Sequence, residues 1–543
     1  MRSRSALRDR TGSTPVSTPV GRHSTSGAPA PSTKAPPPPP ASPVPPVPVA
    51  DDQMTHRQIL EALSGLLLAL LVAILSSTIV TNALPTILAE LNGTQSQYTW
   101  VVTATLLSAT ATTPVWGKLA DLFSKKVLMQ ASISLFALGS ILCGLATSVP
   151  MLIGFRAVQG LGLGGVQALA AVIIAAMVSP RERGRYSGYL GAVFAVGTVS
   201  GPLVGGLIVD TSWLGWRWCF FVVVPVAIAA FIVLGRTLRL PLIKRKVSID
   251  WLGATLIVGG VCLLLVWVSF AGNAFAWTST TSLVLLGAAL LCLAGAVLVE
   301  RRVSEPVVPL RLFRDRTFTL ATVAGIGLGI AMFGGSLFIG QYFQLGRGHS
   351  PTAAGLLTLP LVLSLFVTST ASGWLISRWG RWKGFLTAGS ISLLLGLCLL
   401  ATIDHDTQLW LVGCYLALLG SGVGLSMQNL VLAVQNNTHA RDLGAATATV
   451  TFFRSLGGAT GVSVLGAVLS GQVAARVAAA TGGAAGEAGA SLDIATLPKP
   501  LQDVVHAAYG DATGLVFGIS AVAAVVTLVA VLFIREVPLR TTV

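Results

Sequence analysis

Apolar runs long enough to cross a lipid bilayer recur along most of this chain, and no other feature constrains its fold as strongly. GLLLALLVAIL (Gly65–Leu75) is the middle of the first. A helix of about 20 such residues spans the roughly 30 Å hydrocarbon layer. Fourteen spans are read: 60–83, 98–117, 127–147, 151–177, 186–209, 218–236, 252–271, 281–299, 318–343, 353–376, 384–402, 409–434, 444–471 and 513–534. The runs are continuous rather than alternating, which excludes a β-barrel. Only 10% of the residues are charged, against about 25% in soluble proteins, so a water-facing enzyme is excluded. The expected class is an all-α polytopic membrane protein.

An even number of spans puts both termini on one side. With that side inside, the inner loops and termini hold 29 of the 35 Lys and Arg residues and the outer loops four. Missing one span would exchange every later loop, so the positive-inside rule supports the count and places both termini in the cytoplasm of a cell-membrane protein. The net charge of +15 then reads as topology and lipid contact, with no nucleic-acid partner expected. Residues 1–57 are Pro-, Ser- and Thr-rich, include Pro36–Pro40, and form a disordered tail by composition. The six cysteines lie within or at the ends of apolar runs without paired spacing, and no HExxH or GxxxxGK[ST] string occurs. No metal, cofactor, enzymatic activity or ATP-driven step is expected.

Three strings carry chemistry. GKLADLFSKK (Gly117–Lys126) forms an inner turn in which Asp121 is suited to cap a helix N-terminus or pair with a cation, and Lys125 and Lys126 hold the loop inside. It aligns with Gly373–Trp382 at an offset of 256, Lys125 on Arg381; this is either an internal repeat or a chance match of two short turns. FRAVQGLGLGG (Phe155–Gly165) puts Arg156 and Gln159 one turn apart, about two turns into a span. A buried arginine faces a cavity or a partner, or else snorkels to the headgroups. GTVSGPLVGG (Gly197–Gly206) spaces Gly197, Gly201 and Gly205 for close helix contact. Gly206 follows, and Pro202 bends or hinges the span.

Together these strings resemble the major facilitator superfamily, in particular the fourteen-helix drug:proton antiporters of the EmrB/QacA type. LSSTIVTNALP (Leu75–Pro85) is similar to that branch's LDxTxVNxALP, WRWCFFVVVP (Trp216–Pro225) to its WRWxFxxNxP, and YFQLGRGHSPTAAGLLTLP (Tyr342–Pro360) to its YLQxxxGxSPxxAGxxxLP. FFRSLGGATGVSV (Phe452–Val464) resembles its Arg-Gly-Gly entry to the thirteenth helix, which singles out Arg454. The resemblance covers residues 60–540. It implies two six-helix bundles with an inserted helix pair, here 58–238, 317–543 and 239–316; the second bundle includes 472–512, read from the chain as its one long outer loop, with room for a short helix or hairpin. It also implies alternating access, with export of amphipathic small molecules against proton entry.

The chain departs from this pattern at two places. The branch's acid on the first helix is Ser76 here, its Asn is Val223, and no Asp or Glu sits at the centre of any span. Proton coupling is left to Asp121, Asp210 or Glu90, or to a water relay along the first helix. Candidates for the substrate pocket are the uncharged polar and aromatic residues Ser76, Ser77, Thr81, Asn82, Thr105, Ser108, Phe338, Gln341, Tyr342, Gln428 and Asn429, which serve equally well as interhelical hydrogen-bonding groups. The expected function is a monomeric secondary exporter in the cell membrane. The rivals are an uptake symporter of the same fold and a non-transporting sensor or scaffold.

Overall fold

The computed structural model describes residues 56–91, 95–211, 214–238, 240, 250–271, 275–303, 305–349, 351–481 and 499–540. The Pro-rich tail up to residue 55 lies outside them. The described elements are α1 (His56–Glu90), α2 (Gln95–Leu122), α3 (Lys125–Gly144), α4 (Val149–Met177), α5 (Pro180–Asp210), α6 (Trp218–Phe221), α7 (Val223–Thr237), α8 (Trp251–Phe270), α9 (Thr280–Glu300), α10 (Arg316–Gln341), α11 (Pro351–Leu357), α12 (Leu359–Trp379), α13 (Lys383–Leu400), α14 (Leu409–Asn437), α15 (Leu443–Thr481) and α16 (Lys499–Phe533). Beyond helices, the described residues hold only an isolated Ala271–Phe275 bridge.

Among the described residues, twelve helical stretches are long and apolar enough to cross a membrane. Two further helices lie between them in the chain and are more polar: α2, of 28 residues, carries six threonines, and α5, of 31 residues, opens on PRERGR. The outer surface is apolar. On α9, Leu283, Val284, Leu290 and Leu298 are exposed, and Leu291 is 75% exposed. Water would penalise that face, whereas lipid tails solvate it. The chain is a multi-pass membrane protein.

The helices pack around separate cores. One joins α1, α3, α4, α6 and α7 through Leu63, Leu66, Ile79, Phe136, Ile173 and Phe220. Another joins α10, α13, α14 and α16 through Phe338, Leu397, Leu416 and Phe517. The α8–α9 hairpin sits against both groups, its Ile257, Val261 and Leu265 packing with Ala111 of α2 and Phe452 of α15.

Close approach by glycine is what makes the two groups alike. A Cβ on Gly160 or Gly164 of α4 would collide with the backbone oxygens of Thr105 and Ala109 on α2, and one on Gly162 with the backbone of Phe136 on α3. On α14, Gly420 and Gly424 stand in the same relation to Leu361 and Leu365 on α12, and Gly422 to Leu393 on α13. The contacted residues on α2 and α12 are 256 apart, the offset of the Gly117 and Gly373 strings. This is the repeat that the strings alone left open.

Local signals set the helix ends. Asp250, Ser279 and Asp315 each accept a hydrogen bond from the backbone N–H three residues on, at 2.8, 3.2 and 2.8 Å, and so cap α8, α9 and α10. Gly380 closes α12 at φ 71°, a left-handed position that glycine takes without strain.

The stretch 472–512, read from sequence as the long outer loop with room for a short helix or hairpin, is helical over 472–481 and 499–512 as extensions of α15 and α16; residues 482–498 lie outside the described part. The cause is amphipathic continuation of α15 and α16, because Val473, Val477 and Val505 are buried in the second core. A polar cluster ties these ends down. Asp511 accepts from Arg476 at 2.9 Å and binds His405 Nδ1 at 2.9 Å, while Tyr342 donates to the Asp404 carbonyl at 2.8 Å. The Asp511 hydrogen bond, and then the neighbouring acids, raise the His405 pKa above 6.5 against a smaller effect of burial. A raised folded-state pKa stabilises fully below the unfolded value, and the gain is lost as pH rises through the folded value. Thermal stability in detergent should therefore fall by a small step as pH rises above about 6.5. His405→Asn should flatten that step, and an unchanged profile would remove His405 as its origin.

Candidate functional site

Three features, two between the helix groups and one within the first, can do transport chemistry. The first is a latch. Both carboxylate oxygens of Asp121, in the last turn of α2, accept from backbone amides at the start of α15: Gly444 at 2.7 Å and Ala445 at 2.8 Å. A negative charge on the unpaired amides of a helix N-terminus is favourable for both charge and hydrogen bonding. The helices touch here without side chains between them, since a Cβ on Gly117 would overlap that of Ala448. More ties cross nearby: Arg183 Nη1 donates to Gln435 Oε1 at 3.0 Å, Gln435 donates to the Ala171 carbonyl at 3.4 Å, and Lys118 pairs with Glu305 at 2.6 Å. Lys125 lies half-buried beside the latch.

The second is a buried polar chain within the first group. Arg156 is 3% exposed. It donates to the Val101 carbonyl at 3.3 Å and to Gln159 Oε1 at 2.7 Å. Gln159 in turn donates to Ser140 at 2.7 Å and Ser76 at 3.1 Å. Thr105 donates to the Arg156 carbonyl at 3.2 Å. One arginine thus connects α4 to α2 directly, and through Gln159 to α1 and α3. Of the three alternatives for Arg156, the structure selects partnership inside the bundle.

The third is a cavity between the groups, with about 880 Å³ of atom-free space, part of it open. Its walls come from α1, α4 and α5 on one side (Ile74, Gln167, Phe194) and α10, α14 and α15 on the other (Phe333, Met427, Gln428, Thr451, Arg454, Ser455). It is largely apolar, with a few polar groups, as a site for amphipathic molecules requires. Smaller spaces adjoin it along α5 and α12, reaching Ser369, Thr198 and Ser336. Among the described residues no three His, Cys, Asp or Glu side chains gather as a metal would need.

Two helix groups related by a repeat, meeting around such a cavity, are a transporter architecture. The Major Facilitator Superfamily model matches residues 66–462. The chain belongs to the major facilitator superfamily. Relatives agree. An uncharacterized MFS-type transporter of Mycobacterium tuberculosis is 39% identical over 479 residues, which is 88% of this chain and 69% of that one. The multidrug transporter protein MdtP of Bacillus subtilis is 35% identical over 408 residues, 75% of each. Others at 31% to 35% identity are named efflux pumps or a multidrug resistance protein. The solved proton:xylose symporter XylE shares the fold at 14% identity, with a TM-score of 0.59 over 89% of this chain and 97% of that one. As a major facilitator, this chain is a transporter acting on a small molecule.

Of the residues proposed from sequence for the pocket, Gln428 lines the central cavity. Ser76, Thr105 and Ser108 are buried in the first helix group, and Ser77 and Thr81 are exposed on α1. Phe338 and Tyr342 are buried in the second core, Gln341 is half-buried at the end of α10, and Asn429 donates to the Leu425 carbonyl at 2.6 Å. None of these borders the cavity, because they lie one helix face away from it or near a helix end. Glu90 is exposed at the end of α1. The side chains of Asn82, Pro202 and Asp210 lie outside the described part. Gln167, Phe194, Met427 and Ser455 were not singled out; a lone Gln in mid-span was the available signal for Gln167.

The glycine string on α5 packs against α1. Thr78 Oγ1 donates to the Gly197 carbonyl at 3.2 Å, a Cβ on Gly197 would press on Ile74 at 2.8 Å, and one on Gly205 would meet the Ile79 carbonyl at 3.0 Å. A Cβ on Gly201 would overlap Thr78. Gly201→Leu should therefore destabilise by about 1–3 kcal/mol through overpacking and slow transport several-fold. Gly206→Ala, with nothing within 4 Å of its new Cβ, should leave thermal stability as it was. Equal melting temperatures for the two variants would sink this account.

Proposed function

We propose that the protein is a secondary exporter of amphipathic small molecules such as drugs or toxic metabolites, working by alternating access with proton antiport. All fourteen long helices, α2 and α5 included, cross the cell membrane in this reading, both termini are cytoplasmic, and the chain acts as a monomer. The bundles are 58–238 and 317–543, with the inserted pair at 239–316, as in the EmrB/QacA-type branch. The observation that carries the reading is the apolar cavity between the groups, adjoining an end shut by Asp121 on the α15 amides. With that end cytoplasmic, a loaded cavity is cut off from the cell interior.

Asp121 is the acid favoured for coupling in this reading, because its hydrogen bonds to the α15 amides are a contact that alternating access would break. Protonation removes its charge from the helix terminus and weakens the latch, so a proton arriving there favours opening to the inside. Arg156 and Gln159 hold the first bundle's helices in register, and the α5 glycines with Pro202 let α1 and α5 slide in close contact. The relatives named as multidrug transporters and efflux pumps support export. The test is drug accumulation in a pump-deficient host expressing this chain, with and without a protonophore. Lowered accumulation that the protonophore restores is the expected result. Raised accumulation would make the chain an importer, and no change across a broad panel would leave it a sensor or scaffold.

A further inference from the structure

We propose that the cavity selects organic anions, amphipathic molecules bearing a carboxylate or sulfonate, with Arg454 as the counter-charge. The proposal rests on reading this cavity as the substrate site. Of the 35 basic residues, Arg156 and Arg454 are the two that fall inside apolar spans rather than at a span end, as Arg236 does, or in a loop or tail. Their surroundings differ. Arg156 is engaged by the Val101 carbonyl and Gln159. Arg454 lines the cavity and has no hydrogen bond or ion pair to any described residue. A guanidinium is always charged, and Arg454, half-buried at the cavity wall, has no counter-charge among the lining residues.

The rest of the cavity fits the same ligand. No Asp or Glu is among its lining residues. Gln167 and Gln428 lack a partner among the described residues and offer amide donors, and Ser455 adds a hydroxyl. Phe194, Met332, Phe333 and Met427 give the apolar body a wall. The guanidinium fork matches a carboxylate with two parallel hydrogen bonds, whereas a lipophilic cation would meet an uncompensated like charge. An anion leaving the cytoplasm also moves with the membrane potential, which suits a chain without an acid at the centre of a span.

The experiment uses full-length protein in nanodiscs and a ligand panel in which each aromatic body is supplied as carboxylate, primary amide and primary ammonium, beginning with naphthylacetate, naphthylacetamide and naphthylethylammonium. Binding is read by thermal shift and by competition. The expected result is carboxylates binding at least about tenfold more tightly than their amides, with the ammonium forms weakest. Arg454→Gln should abolish the carboxylate advantage and leave amide binding in place, and Arg454→Lys should retain part of it. Gln428→Glu, which keeps Arg454 but adds a carboxylate to the same cavity, should also lower carboxylate affinity, so the idea stays testable if Arg454→Gln fails to fold. Carboxylates binding no better than amides, or an unchanged preference in Arg454→Gln or Gln428→Glu, would overturn the anion assignment alone. Failure of every form of every body to bind would overturn the reading of the cavity as a substrate site, and the anion assignment with it.

Discussion

Gly117→Val should cut efflux by about tenfold or more while the protein still folds and reaches the membrane. The added side chain has no room in this conformation, because even a Cβ would overlap Ala448 and lie 2.8 Å from the Gly444 carbonyl. These atoms belong to α15, whereas Gly117 belongs to α2. The crowding therefore exists only while the two helix groups are closed at the Asp121 end and vanishes when they part. Overpacking of about 1–3 kcal/mol applied to one of two states shifts their ratio by roughly 5- to 150-fold, since 1.4 kcal/mol is a factor of ten. A transporter held away from one state cannot complete its cycle. Two companions test the cause. Asp121→Ala removes the latch without adding bulk and should shift the same equilibrium in the same direction. Ala448→Gly, placed opposite, should restore part of the activity to Gly117→Val. Normal efflux from Gly117→Val at matched membrane levels would mean that this contact is not part of the cycle.

The Gly117–Lys126 turn was legible in the chain because its residues are out of place in a simple basic loop: an Asp between a Gly and two Lys asks for a partner. What it could not reveal was the partner, since Gly444 lies 323 residues further on and carries no side chain to attract notice. The same holds for helix packing. Glycine spacing on α5 marked a face of close contact, and α5 meets α1 through it, whereas the glycines by which α4 meets α2 and α3 were not singled out. The cavity was harder to see. Phe194, Met332 and Met427 look like any lipid-facing or core residue in a span, and only the meeting of six helices makes them walls. The polar residues of α1 drew attention because polarity inside an apolar run is unusual. They satisfy their hydroxyls locally or across the bundle instead: Thr81 donates to the Ser77 carbonyl at 2.8 Å, and Ser76 accepts from Gln159.

Arg156→Met should abolish transport yet leave thermal stability unchanged or raised. The guanidinium is buried with hydrogen-bond partners but no carboxylate within ion-pair distance among the described residues. Desolvating a charge costs several kcal/mol, and replacing a buried charge by an apolar side chain of similar volume is often neutral or stabilising. A residue kept at that expense is kept for what it does. Here it bonds Gln159, and through it ties together α1, α3 and α4, which under the proposed alternating access would move as one body against the second group. Arg156→Lys should rescue poorly, because an ammonium point charge cannot bond the Val101 carbonyl and Gln159 in one plane. Ser76→Asp extends the test. Ser76 is 1% exposed and faces Gln159, so a carboxylate there would provide the counter-charge that Arg156 lacks and would not enter the cavity. Its expected effect is a change in the pH dependence of transport, with the spectrum of exported compounds unaltered. Efflux measured alongside melting temperature decides the matter: an Arg156→Met variant that pumps like the wild type, or one that fails to fold, would assign Arg156 to stability instead of transport.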